Sequence, residues 1–147
     1  MLIVEAASAL LINAVGQVLL QLRDDKPNLP FAGMWTFFGG AVEDGETHAQ
    51  AVHREVEEEL GLTGLNFRHW MVQVRPMAVD PTITVHNHVY VGRLTVDPAT
   101  LTLGEGQAMA LFDRAAAEVL ELAFSQHDVM RQFYHDLDAG TLEIPEP

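Results

Sequence analysis

Glu55, Glu58 and Glu59 are the side chains of this 147-residue sequence best placed by type and spacing to do chemistry. They lie in a run without Pro or Gly, for which Thr47 predicts an N-cap and Gly61 a C-terminal stop. At about 100° per residue, the three carboxylates share an arc of roughly 100° on that predicted helix. Ala49, Val52, Val56 and Leu60 share a neighbouring arc of roughly 80°, which predicts a core-facing stripe. Carboxylates this close repel one another, and acids in the last turns oppose the helix dipole. The arrangement costs stability unless a cation offsets it, and a divalent ion held by oxygen ligands does so. Arg54 can reach Glu58 one turn on, or Glu46 in the preceding loop, and so brace the cluster without filling it.

An acidic run alone is usually a solvated helix face. Here it comes with more: Gly40, five residues, Glu46, seven residues, then Arg54-Glu55-Val56-x-Glu58-Glu59-x-Gly61-Leu62. That order resembles the complete Nudix box, with the box itself read as loop, helix, loop. The resemblance implies an α/β (α+β) fold, an α/β/α sandwich around a mixed β-sheet. It also implies Mg²⁺ or Mn²⁺ held by Glu55, Glu58 and Glu59, with the Gly39 carbonyl a further ligand. Glu105-Gly106-Gln107 resembles a short segment that MutT-like members place opposite the box, where Glu105 would bind metal or act as base. Arg54, Glu55, Glu58 and Glu105 are thus the expected catalytic residues, and Arg23, Gly40 and Glu46 the expected substrate-binding ones. One departure is Phe38, where the commonest family pattern has Pro, which changes the rigidity of the turn.

The activity implied is hydrolysis of the pyrophosphate linkage of a nucleoside diphosphate derivative, with a (d)NTP as one substrate class. ADP-ribose, nucleotide sugars and dinucleoside polyphosphates are the alternatives, and a non-catalytic nucleotide sensor is a rival of another kind. Diphosphate isomerisation, which some box-bearing proteins perform, normally calls for a cysteine, and this chain has none. Homodimers are common in the family.

Length and composition set the outer bounds. Residues 1–147 suffice for one domain with a sizeable core, and 48% of them are apolar. The absence of cysteine excludes disulfides and thiolate chemistry and fits a cytoplasmic setting. The apolar N-terminal stretch carries no basic n-region, and Glu5 interrupts it, so it predicts a buried strand and neither a signal peptide nor a membrane span. The net charge is −13, and seven of the 21 acids lie between Glu43 and Glu59 beside one base, Arg54. Such a surface excludes binding of a nucleic-acid duplex through its phosphates. A small phosphorylated substrate needs metal ions to screen it.

The remaining elements must position those residues. Residues 3–13 and 17–23 predict an antiparallel pair, residues 24–33 a loop, and residues 34–38 a short aromatic strand leading into Gly39-Gly40. On that strand Trp35 and Phe37 point one way and Phe38 the other, all three as core. Residues 65–75 form a candidate strand. Residues 82–96 alternate most clearly, Ile83, Val85, Val89 and Val91 facing one way and Thr84, His86, His88 and Tyr90 the other. Residues 104–107 predict a loop, 108–112 a strand, and 115–122 and 126–137 helices, with Val129, Met130, Phe133 and Tyr134 as core. The tail EIPEP is expected to fray. His86 and His88 share a strand face and could meet a zinc ion, though two histidines without a third ligand are more often sheet-surface residues. His48 and His53 either tune the site or are simply exposed. Lys26, Arg68 and Arg75 are secondary phosphate candidates.

Overall fold

A ten-residue strand, β1 (Ile3–Ile12), is the axis of the computed structural model, which describes residues 2–147. One side of β1 pairs in parallel with β6 (Thr84–Arg93) along its whole length. The other side is shared. Leu11 and Ile12 pair antiparallel with β2 (Val18–Leu22), and Ala6 to Ala9 pair antiparallel with β4 (Phe38–Ala41). Strand β2 also carries β3 (Trp35–Thr36) and β7 (Ala108–Phe112), and β5 (Phe67–Pro76) closes the far edge against β6. The result is a mixed seven-stranded sheet in which one pair is parallel and the rest antiparallel.

Alternation along the strands sends side chains to two cores. Leu10, Val18, Leu20, Phe37, Val89 and Val91 pack with Val129, Met130, Phe133 and Tyr134 of α3 (Gln126–Ala139) and Ala117 of α2 (Arg114–Val119). Ala7, Ala9, Leu11, Leu19, Phe38 and Tyr90 pack on the other face under Val52, Val56 and Leu60 of α1 (His48–Leu60). Full burial of a Val, Leu or Phe contributes roughly 1.5–3 kcal/mol, so these two layers outweigh any single cap or ion pair. The architecture is the expected sandwich of helices on both faces of a mixed sheet.

Helix α1 starts with a capping box: Gln50 N–H donates to Thr47 Oγ1 at 3.1 Å, and Thr47 N–H donates to Gln50 Oε1 at 2.9 Å. It ends where Gly61 turns left-handed at φ 70° and donates to the Glu57 carbonyl. Its buried residues are Ala51, Val52, Val56, Glu59 and Leu60. Ala49, expected in the stripe, is exposed. Angle alone does not say how far round a helix the cover extends: Ala49 lies outside it, while Ala51 is buried.

Two other expectations change. The aromatic stretch is two strands, because Thr36 Oγ1 and Phe37 N–H both donate to Gln126 Oε1 where the ladder breaks, at 3.0 and 2.9 Å. The glycine pair therefore belongs to β4 and not to a loop. The tail does not fray. Arg68, Asn66 and Arg93 donate to the carbonyls of Glu143, Glu146 and Ile144, and Leu142 is buried. Among the described residues no helix is long and apolar enough to cross a membrane.

Candidate active site

The site forms where α1, β4 and the 101–107 loop meet. Because Ala6 to Ala9 of β1 are small, β4 lies flat beside them, and α1 packs over both strands. This close packing leaves no room for a side chain at position 39, where a Cβ would run into the backbone of Ala7 and Ser8. A Cβ built on Gly40 would fall 2.5 Å from Glu55 Oε1. The loop comes equally close to the helix end, with Gly104 N–H donating to the Glu59 carbonyl at 2.7 Å. A Cβ on Gly104 would stand 2.1 Å from the Glu58 carbonyl oxygen. This contact swings Glu105 onto the helix carboxylates.

Glu55, Glu59 and Glu105 each bring a carboxylate oxygen within 4.8 Å of the other two. Glu59 is 1% exposed, at the centre of the buried arc of α1. Its Oε2 accepts the Gly39 N–H at 3.0 Å, and its Oε1 is buried with no partner among the described residues. Burial, the neighbouring Glu105 carboxyl and the charge of Glu55 together push the Glu59 carboxyl up to about 10. Burial also raises Glu55, assisted by Glu58 and Glu105 and opposed by Arg54. Without a cation, Glu59 holds its proton far above the ordinary carboxylate range, and Glu55 gives up its own later than usual.

Arg54 braces the arrangement. Its Nε and Nη2 form a fork on Glu46, at 2.7 and 3.0 Å, while Nη1 reaches Glu55 Oε1 at 3.0 Å and Glu58 Oε2 at 3.2 Å. Nη2 also donates to the Ala41 carbonyl. The Glu46 bonds, first among several, hold the guanidinium charge firmly in place, and the same bonds lower Glu46. Glu46 thus orients Arg54 and lines no part of the cleft. Glu58 is largely exposed on the Arg54 side, outside the convergent three. Gly39, expected through its carbonyl, meets the cluster through its N–H.

A cleft of about 310 Å³ opens beside the cluster, lined by Gly39, Gly40, Arg23 and Glu105 of the expected set. Its floor was not foreseen. Asn87 Nδ2 donates to Ser8 Oγ at 3.1 Å and to Gln73 Oε1 at 3.2 Å, and Gln21 Oε1 is buried without a partner. The available signal was one polar residue inside each apolar run: Ser8 in β1, Gln21 in β2, Asn87 on the valine face of β6. Arg75 also lines the cleft, whereas Lys26 pairs with Asp24 and Arg68 with Glu143.

The histidines lie elsewhere. His88 stacks on His48 with ring centroids 3.8 Å apart, meets His69 Nε2 through Nδ1 at 3.1 Å, and Glu5 Oε2 through Nε2 at 2.9 Å. His48 Nδ1 bonds the Tyr90 hydroxyl at 2.6 Å. No histidine among the described residues joins a convergent group of three metal-ligating side chains. His53 packs edge-on against Phe67.

The sequence and fold have known counterparts. A family model described as NUDIX domain matches residues 3–137. The chain is 41% identical over 64 residues to an 8-oxo-dGTP diphosphatase of Haemophilus influenzae, covering 44% of this chain and 46% of that protein. It is 39% identical over 95 residues to an isopentenyl-diphosphate Delta-isomerase of Paenarthrobacter aurescens, covering 61% and 50% respectively. The matched segments thus span about half the length of these two relatives. Among solved structures, a MutT protein of Methanosarcina mazei Go1 superimposes with a TM-score of 0.75 at 24% identity, covering 92% of this chain and 96% of that one.

Proposed function

Since this chain belongs to the Nudix family, we propose that it is a divalent-metal-dependent hydrolase of the diphosphate linkage in a nucleoside diphosphate derivative, acting as a single domain. The observation that carries this reading is the convergence of Glu55, Glu59 and Glu105 beside the cleft, with a buried Glu59 oxygen left unsatisfied. The donor set is all carboxylate oxygen, which suits Mg²⁺ or Mn²⁺ over softer ions. Such an ion screens the phosphates and lowers the pKa of a water bound to it.

The protein's own groups do the rest. Glu55, Glu59 and Glu105 would hold the ion, and Glu58, which accepts from Arg54 Nη1, would lie beside them as a further carboxylate. A carboxylate among Glu55, Glu58 and Glu105 takes the proton of the attacking water. Arg54 stays tied to Glu46 and fixes Glu55. Arg23 and the backbone at Gly39 and Gly40 border the substrate. Nucleoside triphosphates are the first substrates to try, in line with the diphosphatase likeness, followed by ADP-ribose, nucleotide sugars and dinucleoside polyphosphates. A panel of these with Mg²⁺ or Mn²⁺ tests the reading: nucleotide or phosphate release from at least one class supports it, and none from any class defeats it. The isomerase likeness favours a second reading, double-bond isomerisation of isopentenyl diphosphate. It would have to proceed without a thiol, since the chain has no cysteine.

A further inference from the structure

Two arginines of this acidic chain converge on one aromatic ring in the cleft wall. The guanidinium carbons of Arg23 and Arg75 each lie 4.8 Å from the Phe124 ring centroid. The ring is held there by unusual backbone. Phe124 is left-handed at φ 57°, its carbonyl accepts Gln73 Nε2–H at 2.9 Å, and its ring packs edge-on against Phe31, itself at φ 55°. A left-handed conformation at bulky residues is costly and persists only where the surroundings fix it. Two loops thus commit strained residues to one ring.

The two cations differ in their surroundings. Arg23 donates through Nε to the Pro30 carbonyl at 3.0 Å and feels Glu105 and Asp24. Arg75 feels no acid; only burial acts on it, lowering its pKa. Its Nε is buried without a partner, and among the described residues its guanidinium makes no hydrogen bond or ion pair. Lys26, Arg54, Arg68 and Arg114, by contrast, all pair with carboxylates. A partly buried guanidinium left unpaired in a protein this acidic is a cost that an incoming anionic oxygen would offset. Charge along the cleft therefore runs from Glu105 through Arg23 and Phe124 to Arg75.

We propose that Arg75, with Arg23 and Phe124, forms a second anion subsite, so that the substrate bears a phosphate or carboxylate beyond the diphosphate held at the glutamates. This rests on the hydrolase reading for its biological meaning but not for its test. In EDTA, without turnover, inorganic phosphate and then acetate are titrated into ¹⁵N-labelled protein while the arginine Nε–H resonances are followed. The expected result is a saturable phosphate-dependent shift of Arg75 Nε–H in wild type, with affinity, followed on Arg23 Nε–H in every protein, about tenfold weaker in Arg75→Gln and less reduced in Arg75→Lys. Acetate producing the same shift would assign a carboxylate instead of a phosphate. Phosphate affinity unchanged within twofold in Arg75→Gln, or an equal Arg75 shift with the neutral nucleoside guanosine, overturns the proposal. If Arg75→Gln does not fold, the wild-type resonance and Arg75→Lys decide alone. Turnover with Mg²⁺ is scored separately, so phosphate binding without hydrolysis would sink the enzyme reading and leave this one standing.

Discussion

Glu59 Oε2 accepts the Gly39 N–H at 3.0 Å while the other oxygen of the same carboxyl, fully buried, has no partner among the described residues. A helix carboxylate is thereby drawn into the apolar layer under α1 and half satisfied. Unsatisfied buried oxygens are rare because each costs its full desolvation. This one adjoins two further carboxylates, so either a proton or a cation relieves the deficit, and a divalent ion would displace the proton.

The folded Glu59 carboxyl titrates at about 10, against an unfolded value of 4.5. Between those values the folded state holds a proton that the unfolded state has released, so metal-free stability falls as pH rises. His69 works the other way, since burial lowers it, but that effect is spent by about pH 7.5. From about pH 7.5 to 9.5 the metal-free melting temperature should decline more steeply in wild type than in Glu59→Gln. Saturating Mn²⁺ should flatten the wild-type slope. Parallel slopes without metal would remove Glu59 from the account.

Glu58 and Glu59 should separate in stability while agreeing in activity. Glu58 is solvent-facing, so Glu58→Gln should leave the melting temperature of the metal-free protein within about 2 °C of wild type. Both substitutions should lower kcat/KM by about 100-fold or more. Full turnover in Glu58→Gln would exclude it from the metal and base set.

Arg54 ties Glu46, Glu55 and Glu58 together through five hydrogen bonds that include the Ala41 carbonyl. Lysine keeps the charge but cannot form the fork on Glu46. Arg54→Lys should therefore weaken Mn²⁺ binding about 10- to 100-fold by calorimetry, with circular dichroism unchanged. Wild-type affinity in that variant would reduce Arg54 to a surface ion pair.

Gly104→Ala probes the loop. The added methyl would meet the Glu58 carbonyl oxygen at 2.1 Å, a backbone atom that cannot swing away. The loop must lift, taking Glu105 with it. Metal affinity should fall as far as in Glu105→Gln, and the double variant should be no worse than either. Additive losses would mean that the two positions act separately.

How much of this the sequence disclosed depends on the range of the signal. The α1 caps were legible because Thr47, Gln50 and Gly61 act on backbone within one turn of themselves. The carboxylate cluster was legible from i, i+3, i+4 spacing and from the resemblance of its flanks. What the wheel could not supply was the position of the sheet. It placed Ala49 in the core, where Ala51 lies, and treated Glu59 as equivalent to Glu58, although one is buried and the other exposed. The glycine pair read as a loop because glycine is poor in strands, but here the strand needs it, since a Cβ at position 39 would run into the backbone of Ala7 and Ser8. Asn87 was obscured by its histidine neighbours, which lie on the opposite face of β6. The Arg23–Phe124–Arg75 contact joins residues far apart in the chain, and no local pattern announces it.

The most direct test is a crystal of this protein soaked in Mn²⁺ and measured at the manganese edge. An anomalous peak among Glu55, Glu59 and Glu105, with carboxylate oxygens about 2.0–2.3 Å from it, is the expected result. No peak there, with Glu59 Oε1 still unpaired in the helix–sheet layer, would contradict the account.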